Sequence, residues 1–133
     1  MNPLRLTMDG RTYRVLIVED TYRDTFTLTE GPNAGDMLND RHERDLIGTS
    51  DTFEMFVMPD PRFPLDFTEF YNAIRSPVVS HTVTVIDGQS YLTYEAMIQS
   101  GTRTLTGTRS GNRIYSGMTV KFVPVEPQWE VSE

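Results

Sequence analysis

The stretch MPDPRFPLDFTEFYNAIRSPVVSHTVTV, residues 58–85, decides the predicted fold. Pro59 predicts the end of a strand, because proline has no N–H to donate to a β-ladder. Pro64 suits the first turn of a helix, and Pro77 ends that helix because the residue before proline avoids the α region. Between these two prolines, aromatic and aliphatic side chains recur at helical spacing and form one apolar stripe. One short helix therefore lies between two strands.

The sequence on both sides of this stretch has the period-two alternation of strands. The Asp-Gly pairs at 9–10 and 87–88 predict two-residue hairpin turns of type I′. Residues 50–58 are apolar at both odd and even positions, which is typical of a strand covered on both faces. These patterns predict a mainly β protein, an antiparallel β-sandwich or open barrel with one short α-helix packed against it. The expected core residues are Phe53, Phe67, Phe70, Tyr71 and Phe122.

A length of 133 residues suits a single domain over residues 1–133. Within it we expect an N-terminal hairpin over residues 4–18, a core over about 50–128 and a flexible C-terminal tail over 129–133. Residues 99–113 are rich in Gly, Ser and Thr. That composition fits either an extended hairpin with a mobile tip or a disordered loop.

The overall composition argues against several classes of protein. A net charge of −7 disfavours binding to nucleic acid through its phosphates, which requires a basic surface. The chain has no cysteine, so disulfides and cysteine-ligated zinc are ruled out. No window approaches the roughly 20 apolar residues of a membrane span, and the first residues lack the apolar run of a signal peptide. We therefore expect a soluble protein made in the cytoplasm, with no membrane partner.

Candidate catalytic and metal-binding residues are few. His42 stands among carboxylates, a pattern more typical of a solvated polar loop than of a catalytic base. Ser80 and His81 are adjacent, so on a strand their side chains point to opposite faces, and we expect His81 to hydrogen-bond backbone at a strand edge. The acidic segment 36–45 lacks the spacing and the glycine of a calcium-binding loop. The sequence therefore predicts no catalytic residue, no metal and no cofactor.

Charge is distributed unevenly along the chain. From Glu30 to Glu69 there are ten acidic residues and three arginines, whereas residues 99–113 carry three arginines and no acid. This basic segment is either a surface loop without a partner or the part of one copy that reaches the acidic segment of a neighbour. The second interpretation gives a head-to-tail contact, which closes into rings or extends into tubes. The residues assigned to that contact are Arg103, Arg109, Arg113, Asp36, Asp40, Glu43, Asp45 and Trp129.

Two long stretches resemble proteins of bacteriophage and prophage tails. They are TFEMFVMPDPRFPLDFTEFYNAIRSPVVSHTVTVIDGQSYLTYEAMIQSG, residues 52–101, and YSGMTVKFVPVEPQ, residues 115–128. Their order of strand, short helix, hairpin, long strand and final strand is similar to the β-sandwich-plus-helix unit of tail tube and distal tail proteins. The likeness covers roughly residues 50–128 and concerns layout and phrases such as SPVVSHTVT and VKFVPVEPQ, with no catalytic signature.

The resemblance implies a non-enzymatic structural protein of the virion tail, made in the cytoplasm of the bacterial host. It implies copies assembled in a ring, commonly of six, that form the channel for the genome or the adaptor between tube and baseplate. Further implied partners are other tail or baseplate proteins, and DNA that passes without specific binding. The acidic balance suits such a channel, because like charge keeps DNA from adhering.

The chain also departs from this family. Tube proteins usually carry a long loop for stacking rings, for which residues 31–50 and 101–113 are both candidates, and there is no room for the second domain of many distal tail proteins. A head–tail connector or a minor baseplate component is a further placement. From a different class, a small β-sandwich that binds a ligand or carbohydrate would use Tyr91, Tyr94 and Tyr115 as a stacking platform.

Overall fold

The computed structural model describes residues 6–30, 35–36, 42–43 and 46–130. Within these residues, strands dominate and a single helix of 11 residues is present. In chain order the elements are β1 (Leu6–Met8), β2 (Arg11–Tyr13), β3 (Val15–Glu30), β4 (Gly35–Asp36), β5 (His42–Glu43), β6 (Leu46–Pro59), α1 (Pro64–Ile74), β7 (His81–Asp87), β8 (Ser90–Met97), β9 (Leu105–Arg109), β10 (Asn112–Tyr115), β11 (Met118–Pro124) and β12 (Trp129–Glu130). The predicted fold class is confirmed: antiparallel β-structure with one short helix.

The main sheet has the strand order β3–β6–β11–β8–β7–β1–β2, with every neighbouring pair antiparallel and β12 also paired to β6. Although β3 and β7 lie far apart in this order, the Tyr22 hydroxyl on β3 donates to the Ile86 carbonyl of β7 at 2.9 Å. It also accepts from the Ile86 N–H at 2.8 Å. The sheet therefore curls until its two halves face each other across one core.

The core lies between these two halves and the helix. Strand alternation directs one face of each inner strand into it, and the largest of the buried side chains are aromatic. Of the predicted core residues, Phe53, Phe67, Phe70 and Phe122 are buried. Tyr71 is only partly buried and packs at the edge of the cluster.

The helix lies where the prolines predict it, and contacts with the sheet stabilise it there. Pro64 occupies the first turn, and the buried face of the helix contains Phe67, Phe70 and Ile74. Phe70 meets the ring of Tyr13 on β2 edge to face, with ring centres 5.4 Å apart. The helix thus covers the hairpin formed by β1 and β2.

Salt bridges reinforce the contact between that hairpin and the start of the helix. Asp66, buried in the first helical turn, accepts hydrogen bonds from the Arg14 backbone N–H at 2.8 Å and from the Arg14 Nε at 3.1 Å. Arg11 pairs with the exposed Glu69 one turn later. The negative side chains also suit the positive end of the helix dipole.

One of the two predicted hairpin turns is displaced by one residue. Asp9 and Gly10 have φ values of 53° and 79°, as a type I′ turn requires, so the first prediction holds. At the second turn Asp87 pairs with Ser90, which makes Gly88 and its successor the central residues. Only Gly88 of that pair has a positive φ, 62°, so Asp87 is the last residue of its strand. Its side chain therefore projects with the strand rather than from the turn.

Strand β3 is longer than the sequence pattern indicated. Its pairing with β6 shifts register between Val18 and Arg23, and the strand continues beyond the shift to Glu30. Thr21 fills this bulge: its hydroxyl donates to the Val18 carbonyl at 2.6 Å and accepts from the Phe56 N–H at 2.9 Å. Residues 19–24 (EDTYRD), whose polar character suggests a gap between two strands, are thus part of one continuous strand.

The segment predicted to be a flexible tail contains a short strand. Trp129 pairs with Thr49, and the following residue with Gly48. Gly48 is required there, because a Cβ at that position would overlap the carbonyl oxygen of Trp129. Gln128 secures the approach, since its side-chain amide accepts from the Asp51 N–H at 2.9 Å and donates to the Asp51 carbonyl at 2.7 Å. Residues 131–133 lie outside the described residues.

Candidate functional site

The arginine-rich segment forms a hairpin, the first of the two alternatives left open by its composition. Strands β9 and β10 pair with each other and not with the main sheet. Ser110 and Gly111 form the turn, with φ values of 51° and 80°. Arg109 and Arg113 flank this turn, and both side chains are exposed. We call residues 105–115 the arginine hairpin.

A cleft of about 490 Å³ separates the arginine hairpin from the start of the helix. Met58 and Phe67 contribute to an apolar lining, and Arg109 and Arg113 also line it. An apolar cavity with two cations fits an apolar group that carries a negative charge beside it. The structure therefore brings together two of the three predicted arginines at a surface with room for a partner.

The third predicted arginine has a different environment. The guanidinium carbon of Arg103 lies 4.1 Å from the ring centre of Tyr71 and 4.4 Å from that of Tyr115. It is therefore stacked between α1 and β10, and it fixes the arginine hairpin against the helix. Its assignment to an interface between copies stays a prediction, while its contact within the chain is structural.

The outer half of the β3–β6 pair, residues 24–30 and 46–52, projects beyond the part of β6 that pairs with β11. We call it the arm. Leu28 lies opposite Thr49, which in turn lies opposite Trp129 on β12, so these residues share one face of the arm. Phe26 and Ile47 are each two positions away along their strands and share that face too.

This face of the arm is apolar and exposed. The exposed fractions are 65% for Phe26, 40% for Leu28, 47% for Ile47 and 44% for Trp129. We call these four residues the apolar strip. Of these four residues only Trp129 was predicted to lie at an interface, because the alternating Thr and apolar residues in TFTLTE are typical of an ordinary strand with an inward face. The sequence signal that was missed is the length of β3 and β6. Both strands extend beyond the core, so the outer part of their inner face is exposed.

Two of the predicted acidic contact residues, Asp36 and Glu43, lie in the short strands between β3 and β6, which we call the acidic tip. There β4 and β5 form a short antiparallel pair, with Asp36 opposite His42 and Gly35 opposite Glu43. Asp40 and Asp45 lie outside the described residues. The acidic tip therefore adjoins Leu46, the first residue of β6.

Strand β6 separates the acidic tip from the arginine hairpin. It begins at Leu46 beside the tip and ends at Pro59, which lines the cleft. A strand of 14 residues is about 43 Å long, because each of its 13 steps rises by roughly 3.3 Å. The acidic tip and the cleft therefore lie at opposite ends of one strand and cannot meet within one copy.

The structure does not assemble the three tyrosines into a stacking platform. Tyr91 is 73% exposed, whereas Tyr94 is buried and donates its hydroxyl to the Phe122 carbonyl at 2.9 Å. The two lie at odd and even positions of β8, so they face opposite sides of the strand. Tyr115 stacks on Arg103 instead.

His81 has a carboxylate partner rather than the predicted backbone partner. Its Nδ1 lies 2.6 Å from Asp9 Oδ2, and the Thr82 N–H donates to Asp9 Oδ1 at 2.9 Å. Burial acts to raise the pKa of Asp9, but these two hydrogen bonds outweigh it and leave the pKa below its ordinary value. The Ser80 hydroxyl bonds to Glu95 at 2.7 Å, away from His81, as strand alternation predicts. His42 lies in β5, opposite Asp36 on β4.

The sequence matches no protein-family model and none of the curated proteins with which it was compared. No helix in the described part of the chain is long and apolar enough to span a bilayer.

Proposed function

We propose that the protein is a non-enzymatic structural component of a bacteriophage tail that assembles head-to-tail with further copies of itself. One observation carries this proposal: the arginine-lined cleft and the acidic tip lie at opposite ends of β6. Two surfaces of opposite charge that cannot meet within one copy can meet between copies.

The charges favour a second copy of the chain as the occupant of the cleft. Arg109 and Arg113 are exposed there, and the segment 36–45 has a net charge of −2, with Asp36, Asp40, Glu43 and Asp45 against Arg41 and Arg44. Charge complementarity of this kind steers encounter and fixes register, while apolar contact supplies most of the binding energy. The apolar strip lies on the arm that carries the acidic tip, so the same neighbour can cover both.

A contact between two different surfaces repeats from copy to copy. Such a heterologous contact gives a ring when the rotation between copies closes, and a filament when it does not. Both outcomes suit the tail proteins that the sequence resembles, in which residues 31–50 or 101–113 would correspond to the stacking loop. The proposal includes a ring of six copies and a position in the tail tube, the distal tail or the baseplate adaptor. It also includes DNA that passes through the ring without specific binding.

Reversing the charge of the cleft should weaken assembly. In the double variant Arg109→Glu, Arg113→Glu, repulsion replaces attraction to the acidic tip, and we expect the dissociation constant of self-association to rise at least about tenfold. Light scattering after size exclusion, over a range of protein concentration and salt, measures this change. Wild-type association should also weaken as salt rises, because exposed charges are screened.

Two comparisons make this measurement specific. Lys121→Glu reverses an exposed cation on β11 outside the cleft and should leave assembly nearly unchanged. Asp36→Arg with Glu43→Arg, combined with the double cleft variant, should restore association by exchanging the two charges. A wild-type protein that remains a monomer at high concentration contradicts the self-assembly proposal.

The cleft itself supports a second candidate function. Its volume of about 490 Å³ lies in the range of small-molecule sites, and the two arginines would select an anionic ligand. A small ligand-binding β-sandwich would then use this cleft rather than the predicted tyrosines. A monomer whose affinity for an anionic ligand is lost in the Arg109→Glu, Arg113→Glu variant would favour this function.

A further inference from the structure

Three carboxylates meet where the arm joins the core. Asp24, Asp51 and Asp87 each place an oxygen within 4.8 Å of the other two. They come from three strands, β3, β6 and β7, and are separated by 27 and 36 positions along the chain. Apart from these three, no such group of acidic or histidine side chains occurs in the described part of the chain.

Strand register accounts for the convergence. Asp24 lies opposite Phe53, and Phe26 lies opposite Asp51, so Asp24 and Asp51 are diagonal neighbours on one face of the β3–β6 pair. Asp87 reaches them from the facing half of the sheet, because it is the last residue of β7 and not part of the turn. Tyr22, bonded to the backbone of Ile86, holds β3 and β7 together beside them.

Asp51 is the distinctive member of the cluster. Its side chain is 5% exposed, and its Oδ1 is buried without any hydrogen-bond partner. None of the three carboxylates forms an ion pair with an arginine or lysine among the described residues. A buried carboxylate beside two others and without a cation calls for a positive ligand.

We propose that Asp24, Asp51 and Asp87 bind a divalent cation of the hard, oxygen-preferring class, Ca²⁺. Three oxygens that lie within 4.8 Å of one another are at most about 2.8 Å from a common centre, close to the roughly 2.3–2.6 Å of a Ca–O bond, so small side-chain rotations would let all three carboxylates bind one ion. Mg²⁺ requires shorter bonds and a stricter octahedron, which favours Ca²⁺ here. Asp24 is exposed and Asp87 half-buried, so ions can enter and water can complete the coordination.

The ion would link the base of the arm to the core. Asp24 and Asp51 belong to the two strands of the arm, while Asp87 belongs to the β7–β8 hairpin. Calcium would therefore fix the direction in which the apolar strip projects. The inference does not rest on the proposed self-assembly, since it concerns contacts within one copy.

Thermal unfolding of the full chain tests the site. We expect the melting temperature of the wild-type protein to rise with CaCl₂ concentration relative to EDTA at constant ionic strength, with a smaller rise in MgCl₂. Asp51→Asn keeps the shape of the side chain but removes a ligand charge, and should lower the Ca²⁺ affinity at least about tenfold in calorimetric titration. In EDTA the same variant should melt no lower than wild type, because it removes an uncompensated buried charge.

Two further variants complete the test. Asp24→Asn changes an exposed ligand and should weaken calcium binding even if Asp51→Asn fails to fold. Asp20→Asn removes an exposed carboxylate from the same strand, outside the cluster, and should leave the calcium response unchanged. The proposal is overturned if calcium neither binds nor shifts the melting temperature. It is equally overturned if calcium stabilises wild type and the two ligand variants alike, which would place binding at another acidic segment.

Discussion

Replacing Asp66 with alanine is expected to lower the free energy of unfolding by about 3 kcal/mol. Asp66 is buried and accepts hydrogen bonds from both the backbone and the guanidinium of Arg14. The variant leaves the Arg14 N–H without its acceptor and removes a favourable charge from the first turn of the helix. Because small domains are stable by only about 5–15 kcal/mol, urea unfolding should show a clearly lower midpoint.

Glu69→Ala is the matched control for this variant. Glu69 lies on the same helix and pairs with Arg11, but both side chains are 46% exposed. Exposed ion pairs contribute at most about 1 kcal/mol, so Glu69→Ala should shift the midpoint only slightly. Equal losses in the two variants would show that burial of Asp66 is not the cause.

The same carboxylate gives a defined dependence on pH. Hydrogen bonds from Arg14 hold the pKa of Asp66 below its ordinary value of 3.8. Its contribution to stability is therefore fully present above pH 3.8 and is lost as the pH falls through the lower pKa of the folded state. The difference in stability between wild type and Asp66→Asn should narrow over that acidic range and stay constant at higher pH.

Phe70→Ala should be at least as damaging, with an expected loss of about 4 kcal/mol. The ring is fully buried between the helix and β2, and it meets Tyr13 edge to face at an interplanar angle of 65°. The substitution removes the apolar surface of the ring and leaves a cavity that the surrounding sheet can fill only in part. The midpoint of urea unfolding should fall while its slope remains that of wild type.

Leu65→Ala provides the comparison on the same helix. Leu65 is 70% exposed, so its truncation should change the free energy of unfolding by no more than about 0.5 kcal/mol. If Phe70→Ala also cost less than about 1 kcal/mol, the helix would not be an integral part of the core.

The sequence predicted those elements whose signals are local. Pro64 and Pro77 bracket the helix, and turn chemistry at Asp9 and Gly10 determines the first hairpin, so neither needs a tertiary contact to be recognised. The turn at the second Asp-Gly pair lies one residue later than predicted. The same dipeptide fits a type I′ turn or a turn that begins at the glycine, and pairing of Asp87 with Ser90 decides between them.

The candidate sites depend on contacts that are remote in sequence. The charges of Arg109 and Arg113 can be read directly, but the stacking of Arg103 on Tyr71 joins residues 32 positions apart. The carboxylate cluster requires the register of β3 on β6 and the curl that brings β7 over them. No local pattern around Asp51 marks it as buried, since an aspartate in a strand is usually exposed.

Strand β11 has a consequence for how the chain reaches this structure. It joins the two halves of the sheet, and its residue Phe122 pairs with Phe53, 69 positions earlier. Strands β7 and β8 pair across a turn of two residues, so their hairpin closes at a far smaller entropic cost. We expect Val85→Ala, on β7, to slow folding, and Val120→Ala, on β11, mainly to speed unfolding, which stopped-flow kinetics would resolve. Comparable slowing of folding by both would contradict this order.

Until β11 docks, one edge of β6 has unpaired N–H and C=O groups that another molecule can pair with. The strand that completes the sheet is therefore also the one that shields β6 from misassociation. A nascent chain is most vulnerable to aggregation between closure of its hairpins and the arrival of β11.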